Sequence, residues 1–332
     1  MTALIQWINS AVVYGTVIMY AAMGEILTEK SGHLNLGVPG LMFLGGFAGF
    51  GSAYIYENST DSPSGVLLIL LPLLAAFVAS CLGGLLYSFL TVTLRANQNV
   101  TGLALTSFGV GVGTFGGVYL CKISGNSSYA VAKLSSAAFT KNLNAAFGLG
   151  TVGQIFLSYG FLAYTAILLA VLLHFVLSKT RVGLNLRAVG ENPGTADAAG
   201  INVTLYKYLA TCLGGGICGI GGLYYVLEYC LGGWSTNNSI ESLGWLAVAL
   251  VIFSTWKPLN AIWGSYLFAL LFWLYNYFPT LVNTTINAPI TDLLQMIPYV
   301  VTIIVLIVVS IHRKKENQGP ASLGLSYFRE ER

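Results

Sequence analysis

Apolar residues in this chain fall in long unbroken runs rather than in alternation or narrow stripes. A helix needs about 20 apolar residues to cross the hydrocarbon core of a bilayer. Runs of that kind lie near 6–26, 36–55, 65–94, 100–121, 155–177, 207–231, 241–256, 259–278 and 292–311. The pattern predicts an all-α polytopic membrane protein with about 9–10 transmembrane helices, depending on whether the long third run is one tilted helix or two shorter ones. The transmembrane domain then covers 1–312. The tail at 313–332 is expected to be disordered, with its basic cluster Arg313-Lys-Lys315 anchoring the last helix at the anionic inner face of the lipid.

Polar stretches separate these runs, and two are long. One, at 122–154, is rich in Ser, Asn and Ala. The other, at 178–206, holds the most informative pattern in the chain. There Asn192 suits an N-cap, Pro193 the first helical position and Gly200 the stop after the last turn. A helix that short is unstable alone in water, so it must be held by packing against the membrane domain or a docked partner.

Composition supports the membrane reading. Hydrophobic residues make up 55% of the 332 and charged residues only 8%, against about 25% in soluble domains. The net charge of +3 is too small and dispersed to suggest a nucleic-acid partner, which leaves sidedness as the useful question. With the carboxyl terminus placed inside and the spans alternating backwards, twelve basic residues fall inside and three (Lys122, Lys133, Lys141) outside. The loop at 122–154 is then external and the one at 178–206 cytoplasmic. The first positive residue is Lys30, so the amino end lacks the basic region of a signal peptide, and the first run is expected to be a retained helix.

Little in the chain points to catalysis. No phosphate-binding GxxxxGK[ST] motif occurs, the three histidines are scattered, and the five cysteines show no CxxC spacing. Polar residues at membrane depth are the functional candidates instead. Glu25, Glu29, Lys30, His33 and Asn35 interrupt two apolar runs beside Gly32, Gly37, Pro39 and Gly40. This stretch near 25–40 is either a broken helix lining a path or an ordinary inside loop. Glu228, Glu241 and Asp292 stand near helix ends, where acids at the interface are the commoner case. Asn97, Gln98, Asn99 and Thr101 open the fourth run and fit a cap, with Ser107 two turns further along. Trp245 follows Glu241 by one turn. Glycine-rich runs at 109–117, 214–216 and 219–222 fit close helix packing, and the tryptophans fit interfacial belts or packing.

Four of these stretches together resemble bacterial ABC importer permeases of the branched-chain amino acid, ribose and nucleoside superfamily. Glu29-Lys-Ser-Gly-His-Leu-Asn-Leu-Gly-Val-Pro-Gly40 is similar to that family's E-R-S-G-x-x-N-[IL]-G-x-E-G. Arg95-Ala-Asn-Gln-Asn-Val-Thr-Gly102 is similar to its R-A-N-E-x-V-T-G. Leu186-Arg-Ala-Val-Gly-Glu-Asn-Pro-Gly-Thr-Ala-Asp-Ala-Ala-Gly-Ile201 resembles its cytoplasmic coupling loop, and Gly244–Leu259 a conserved-pattern run of the second half. Three positions depart from those patterns: Pro39 replaces a glutamate, Gln98-Asn99 replaces N-E, and Ser254 replaces a glycine.

The resemblance implies a translocation subunit with no catalytic residue and no cofactor of its own, ATP and magnesium being bound by partner ATPases. It implies a second permease subunit, often non-identical, an external lipoprotein that delivers substrate, and a plasma-membrane location with the carboxyl terminus cytoplasmic. The ATPase contact would comprise Arg187, Glu191, Asn192, Pro193, Ala196, Asp197, Ala199 and Gly200, and the translocation path Glu25, Asn35, Asn99, Ser107, Glu241 and Trp245. The first two motifs point to the nucleoside branch. A sugar, a signalling furanone (autoinducer) or a branched-chain amino acid is the alternative cargo, and a stand-alone secondary transporter or channel the alternative class.

Overall fold

The computed structural model describes residues 2–125, 129–142, 150–235, 239–282, 288–311 and 318–328. Helices dominate it. Those of the membrane domain are α1 (Thr2–Glu29), α2 (Val38–Ser59), α3 (Leu67–Ser88), α4 (Gln98–Ile123), α7 (Phe161–Lys179), α10 (Val203–Tyr224), α11 (Ile240–Phe253), α12 (Pro258–Val282) and α13 (Ala288–Ile311). Between α4 and α7 lie the short α5 (Lys133–Phe139) and α6 (Gly150–Phe156), and between α7 and α10 lie α8 (Arg181–Glu191) and α9 (Pro193–Ala198). Seven helices are long and apolar enough to span a bilayer, and two shorter apolar stretches lie at Ile240–Phe253 and Ile290–Val301. Each of the nine runs seen in the sequence thus coincides with one helix. The third run is a single helix that closes in a π turn, Phe89–Thr93, and α10 closes the same way at Tyr225–Tyr229.

α1, α2 and α10 form the centre, with most of each buried inside the protein. α1 packs against α7, α10, α11 and α12, while α2 packs against α3, α4, α10 and α11. Lipid tails are as apolar as leucine, so helices in a bilayer gain most from close backbone approach. The glycines supply it. At Gly24 of α1, a methyl group would meet the Gly214 carbonyl and, at 2.5 Å, the Cys218 Sγ. At Gly109 of α4 it would meet the Gly40 Cα at 2.5 Å, and at Gly84 of α3 the Thr211 carbonyl at 2.6 Å. The leucine-rich outer faces of α3 and α7 are exposed, as lipid-facing surfaces should be.

One end of the bundle is closed by the stretch between α4 and α7. A two-stranded antiparallel ribbon, β1 (Tyr129–Val131) with β2 (Gly233–Ser235), joins it to the segment after α10. Glu57 accepts from the amides of Leu134 (3.1 Å) and Ser135 (2.5 Å), satisfying two orphan donors at the start of α5. Trp234 is 1% exposed and stacks on Phe50, so it is core rather than an interfacial belt residue. Glu228 differs from its sequence reading as an interface acid. It is buried, and its Oε1 accepts from the Gly160 amide (2.9 Å), at the N-cap position of α7, and the Tyr224 hydroxyl (3.3 Å).

Of the two readings of the stretch near 25–40, the structure shows the loop and not a broken helix: α1 stops at Glu29 and α2 begins at Val38, each a full-length span. The tail also differs from expectation. Residues 318–328 are not free chain but lie against α8, α9 and the α1–α2 turn, because their polar groups find partners there. The basic cluster at 313–315 falls outside the described residues.

Close approach at Gly24 makes a prediction. Gly24→Val lowers the melting temperature of the detergent-solubilised chain by several degrees, overpacking costing about 1–3 kcal/mol. Gly111→Ala, in the interior of α4 where an added methyl meets nothing within 4 Å, does not lower it in the same thermal unfolding measurement.

Candidate functional site: the short capped helix and the α1–α2 turn

The short helix forms as its end signals dictate. The Asn192 side chain accepts from the Thr195 amide (3.0 Å), Pro193 opens the helix, and Gly200 takes the left-handed conformation (φ 82°) that ends it. The helix before it, α8, was not read from sequence. Thr180 caps it by accepting from the Gly183 amide (3.1 Å). Its buried residues are Gly183, Leu186, Val189 and Gly190, a helical period made of few and mostly small side chains.

α9 is fastened from inside by Ala196, which is 3% exposed and packs with Val189 and Val203. Ala196 therefore holds the helix in place and is not on its outer surface. Asn192, Thr195, Ala198, Ala199 and Gly200 are exposed, and Thr195 and Ala198 join the outward face although the sequence did not single them out. Arg187 is half-buried, with its Nε lacking a partner, and lines a cavity of about 430 Å³ with Glu191, Lys30, Trp256 and Lys257. Burial depresses the Lys30 ammonium, opposed in part by the nearby Glu191.

α8 rests directly on the turn between α1 and α2. A methyl group at Gly190 would meet the Lys30 carbonyl and lie 3.2 Å from the Gly32 amide, and Gly32 is itself left-handed (φ 84°). The tail straps this joint. Ser322 donates from both its amide (3.0 Å) and its hydroxyl (2.5 Å) to the Gly190 carbonyl, and the Gly324 amide donates to the Gly32 carbonyl (3.2 Å). Further along, the Tyr327 hydroxyl donates to Asp197 Oδ2 (3.0 Å) on α9.

The turn is irregular backbone, tolerable because protein surrounds it and satisfies its polar groups. The Glu25 carboxylate accepts from the Asn35 amide (3.2 Å), and the Asn35 side chain accepts from the Gly37 amide (2.9 Å). Tyr87 of α3 donates to the Leu34 carbonyl (2.6 Å), and Thr106 of α4 to that of Leu36 (2.8 Å). Gln98, not Asn99, takes the amide of Leu34 (2.8 Å). His33 lies 3.3 Å from the Thr211 hydroxyl, and burial together with Lys207 pushes its ring well below the usual histidine range, which keeps it neutral. Asn35 Nδ2 remains unpartnered in this buried setting, and the remaining Glu25 oxygen has the Glu29 carboxyl as its neighbour.

The other expected path residues do not join this cluster. Asn99, Ser107, Glu241 and Trp245 are all exposed on the single chain. Asn99 follows the true cap, Asn97, whose side chain accepts from the Val100 amide (3.1 Å), and Ser107 donates to the Leu103 carbonyl of its own helix (3.2 Å). α4 and α11 flank the start of α2: Gly109 meets Gly40, and a methyl group at Gly244 would lie 2.5 Å from the Pro39 Cα. Pro39, one of the departing positions, is thus packed against α11. Ser254, another departure, caps the end of α11 with right-handed backbone, whereas the following Thr255 and Trp256 are both left-handed (φ 54° and 53°). That strain aims the Trp256 indole N–H at the buried Glu29 carboxylate, an interaction the sequence did not announce. Among the described residues no group of three His, Cys, Asp or Glu side chains is placed to hold a metal.

A sequence model of the family described as "Branched-chain amino acid transport system / permease component" matches residues 7–307. The chain belongs to that permease family. It is 30% identical over 305 residues to the nucleoside ABC transporter permease protein NupC of Lactococcus lactis, covering 90% of each chain. It is 30% identical over 264 residues to the guanosine ABC transporter permease protein NupQ of Bacillus subtilis (79% of this chain, 78% of the relative). A Haloferax volcanii protein named for a glucose ABC transporter, TsgC13, is 33% identical over 264 residues (80% of this chain, 75% of the relative). No solved structure matches. The chain is therefore a multi-pass permease of the ABC transporter class, and the stand-alone carrier or channel falls away.

The Trp256–Glu29 contact can be tested by removal. Trp256→Phe keeps the ring but strands a buried carboxylate oxygen, costing about 1–3 kcal/mol and lowering the melting temperature. Trp263→Phe, at a site 79% exposed, leaves it unchanged.

Proposed function

We propose that this permease imports nucleosides delivered by an external binding lipoprotein, in a complex with a second, non-identical permease subunit and two cytoplasmic ATPases. The observation that carries the cargo assignment is the end-to-end likeness to a nucleoside permease, 90% of both chains, with a guanosine permease beside it. The driving mechanism rests on the joint described above. The ATPase docks on the outward face of α9, with Glu191, Asn192, Pro193, Asp197, Ala199 and Gly200 at or beside the contact and Arg187 and Ala196 supporting it from behind. ATP and magnesium sit in the ATPases, so this chain carries no cofactor. Motion of α8–α9 is passed through Gly190 to the α1–α2 turn, where Glu25 and Asn35 lie. The path runs between the two permease subunits along the faces of α4 and α11 that carry Asn99, Ser107, Glu241 and Trp245. Those residues are exposed on the single chain and polar or aromatic in a surface otherwise made for lipid. The carboxyl terminus, α8 and α9 share the cytoplasmic side, in keeping with the basic residues Lys30, Arg187 and Lys257 gathered there.

A sugar is the second reading, favoured by the 33% identity to the glucose-named relative. Uptake of radiolabelled uridine by cells carrying the transporter separates the two. Excess unlabelled guanosine abolishes it and excess glucose does not; competition by glucose alone would overturn the nucleoside assignment. In the same assay Gly200→Val reduces uptake at least tenfold with the protein still in the membrane, since a branched side chain resists the left-handed turn at the docking face. Undiminished uptake would contradict docking there.

A further inference from the structure

A second cavity of about 450 Å³ opens between α9, the start of α10, the end of α3 and the tail. Its chemistry is cationic. Lys207 lines it while only 2% of the residue is exposed, and its ammonium has no hydrogen-bond or ion-pair partner among the described residues. A lysine withdrawn from water that far ordinarily has a counter-charge. Arg95 lines the same cavity from the opposite element, held in a left-handed conformation (φ 57°) just after the π turn and with its guanidinium over the Phe328 ring, 4.8 Å from the centroid. Strained residues and π turns recur at binding sites.

The start of α10, a helix of 22 residues, adds to this. Its Asn202 cap takes the Leu205 amide (3.0 Å), and the amides of Val203 and Thr204 have no acceptor within the helix, at the positive end of its dipole. His33 in the wall is neutral. Asp197, the one acid among the described residues lining the cavity, accepts from the Tyr327 hydroxyl (3.0 Å) and opposes an anion, but Lys207 and Arg95 outnumber it. The cavity is too roomy for a lone small ion and fits an organic ligand.

We propose that this cavity binds a phosphate-bearing ligand, its phosphate held by Lys207, Arg95 and the start of α10. Donors from three directions suit a group with several anionic oxygens better than a single carboxylate. The source is either a soluble phosphate compound or a phospholipid headgroup. Because Asp197 and Gly200 of the coupling loop and Tyr327 of the tail form part of the wall, the occupant fastens the tail against α9. The proposal stands on this geometry alone and is independent of the cargo.

The test is calorimetric titration of the purified full-length chain, in neutral phosphatidylcholine nanodiscs, with inorganic phosphate, ADP and dihexanoyl phosphatidylglycerol. At least one probe saturates at one per chain, and its identity names the source. Lys207→Met weakens that binding at least tenfold and Arg95→Gln at least threefold, while the exposed Lys179→Met binds as wild type. Saturation by none of the three probes overturns the proposal, as does wild-type affinity in folded Lys207→Met. Should Lys207→Met fail to fold, the exposed Arg95→Gln decides, and wild-type affinity there overturns it equally.

Discussion

The Gly190 Cα lies so close to the Lys30 carbonyl and the Gly32 amide that no side chain fits at 190. Two segments that serve different ends, a short surface helix pair and a buried turn, are thereby in backbone contact. Backbone cannot change rotamer to absorb a displacement, so a shift of α8 is felt at once at the turn. The tail reinforces this, with Ser322 and Gly324 bonding to the two glycines of the joint, Gly190 and Gly32. The glycine contacts inside the bundle, Gly24 with Gly214 and Gly40 with Gly109, extend the same principle to the helices that the turn connects.

The turn converts contact into consequence. It is irregular backbone at the end of two central helices, and groups from α1, α3 and α4 all bond to it. Its interior is finely balanced rather than fully satisfied, because Asn35 Nδ2 has no partner and the Glu25 carboxyl has a second acid, Glu29, beside it. Unpaired buried polar atoms are costly, so an alternative arrangement that pairs them competes well with this one. That is the physical basis for reading the turn as the place where the protein changes state.

How much of this the sequence disclosed follows from the length scale of each signal. The helices were legible because bilayer thickness demands long apolar runs that no loop imitates. The short helix at 193–198 was legible because Asn192, Pro193 and Gly200 each act through local backbone geometry. α8 was not, since its buried face is two glycines with Leu186 and Val189, too small a stripe to stand out beside Arg181 and Arg187. The order at 318–328 comes wholly from distant partners, of which a short stretch of small residues with Leu323, Leu325, Tyr327 and Phe328 carries no sign. The burial of Glu228 and the bond from Trp256 were hidden for the same reason: their partners, Gly160 and Glu29, lie 68 and 227 residues away. Of the candidate path, Glu25 and Asn35 meet in the turn, whereas Asn99, Ser107, Glu241 and Trp245 lie on a surface whose meaning depends on a neighbouring subunit.

The claim on which the account turns is that α8 moves the α1–α2 turn through the contact at Gly190. The most direct measurement is the ratio of substrate transported to ATP hydrolysed in proteoliposomes holding the assembled transporter, wild type against Gly190→Val. Hydrolysis stays within about twofold while the transport ratio falls at least tenfold, because the ATPases still dock on α9 but the turn no longer follows. An unchanged ratio, with the variant present in the vesicles in wild-type amount, would contradict it.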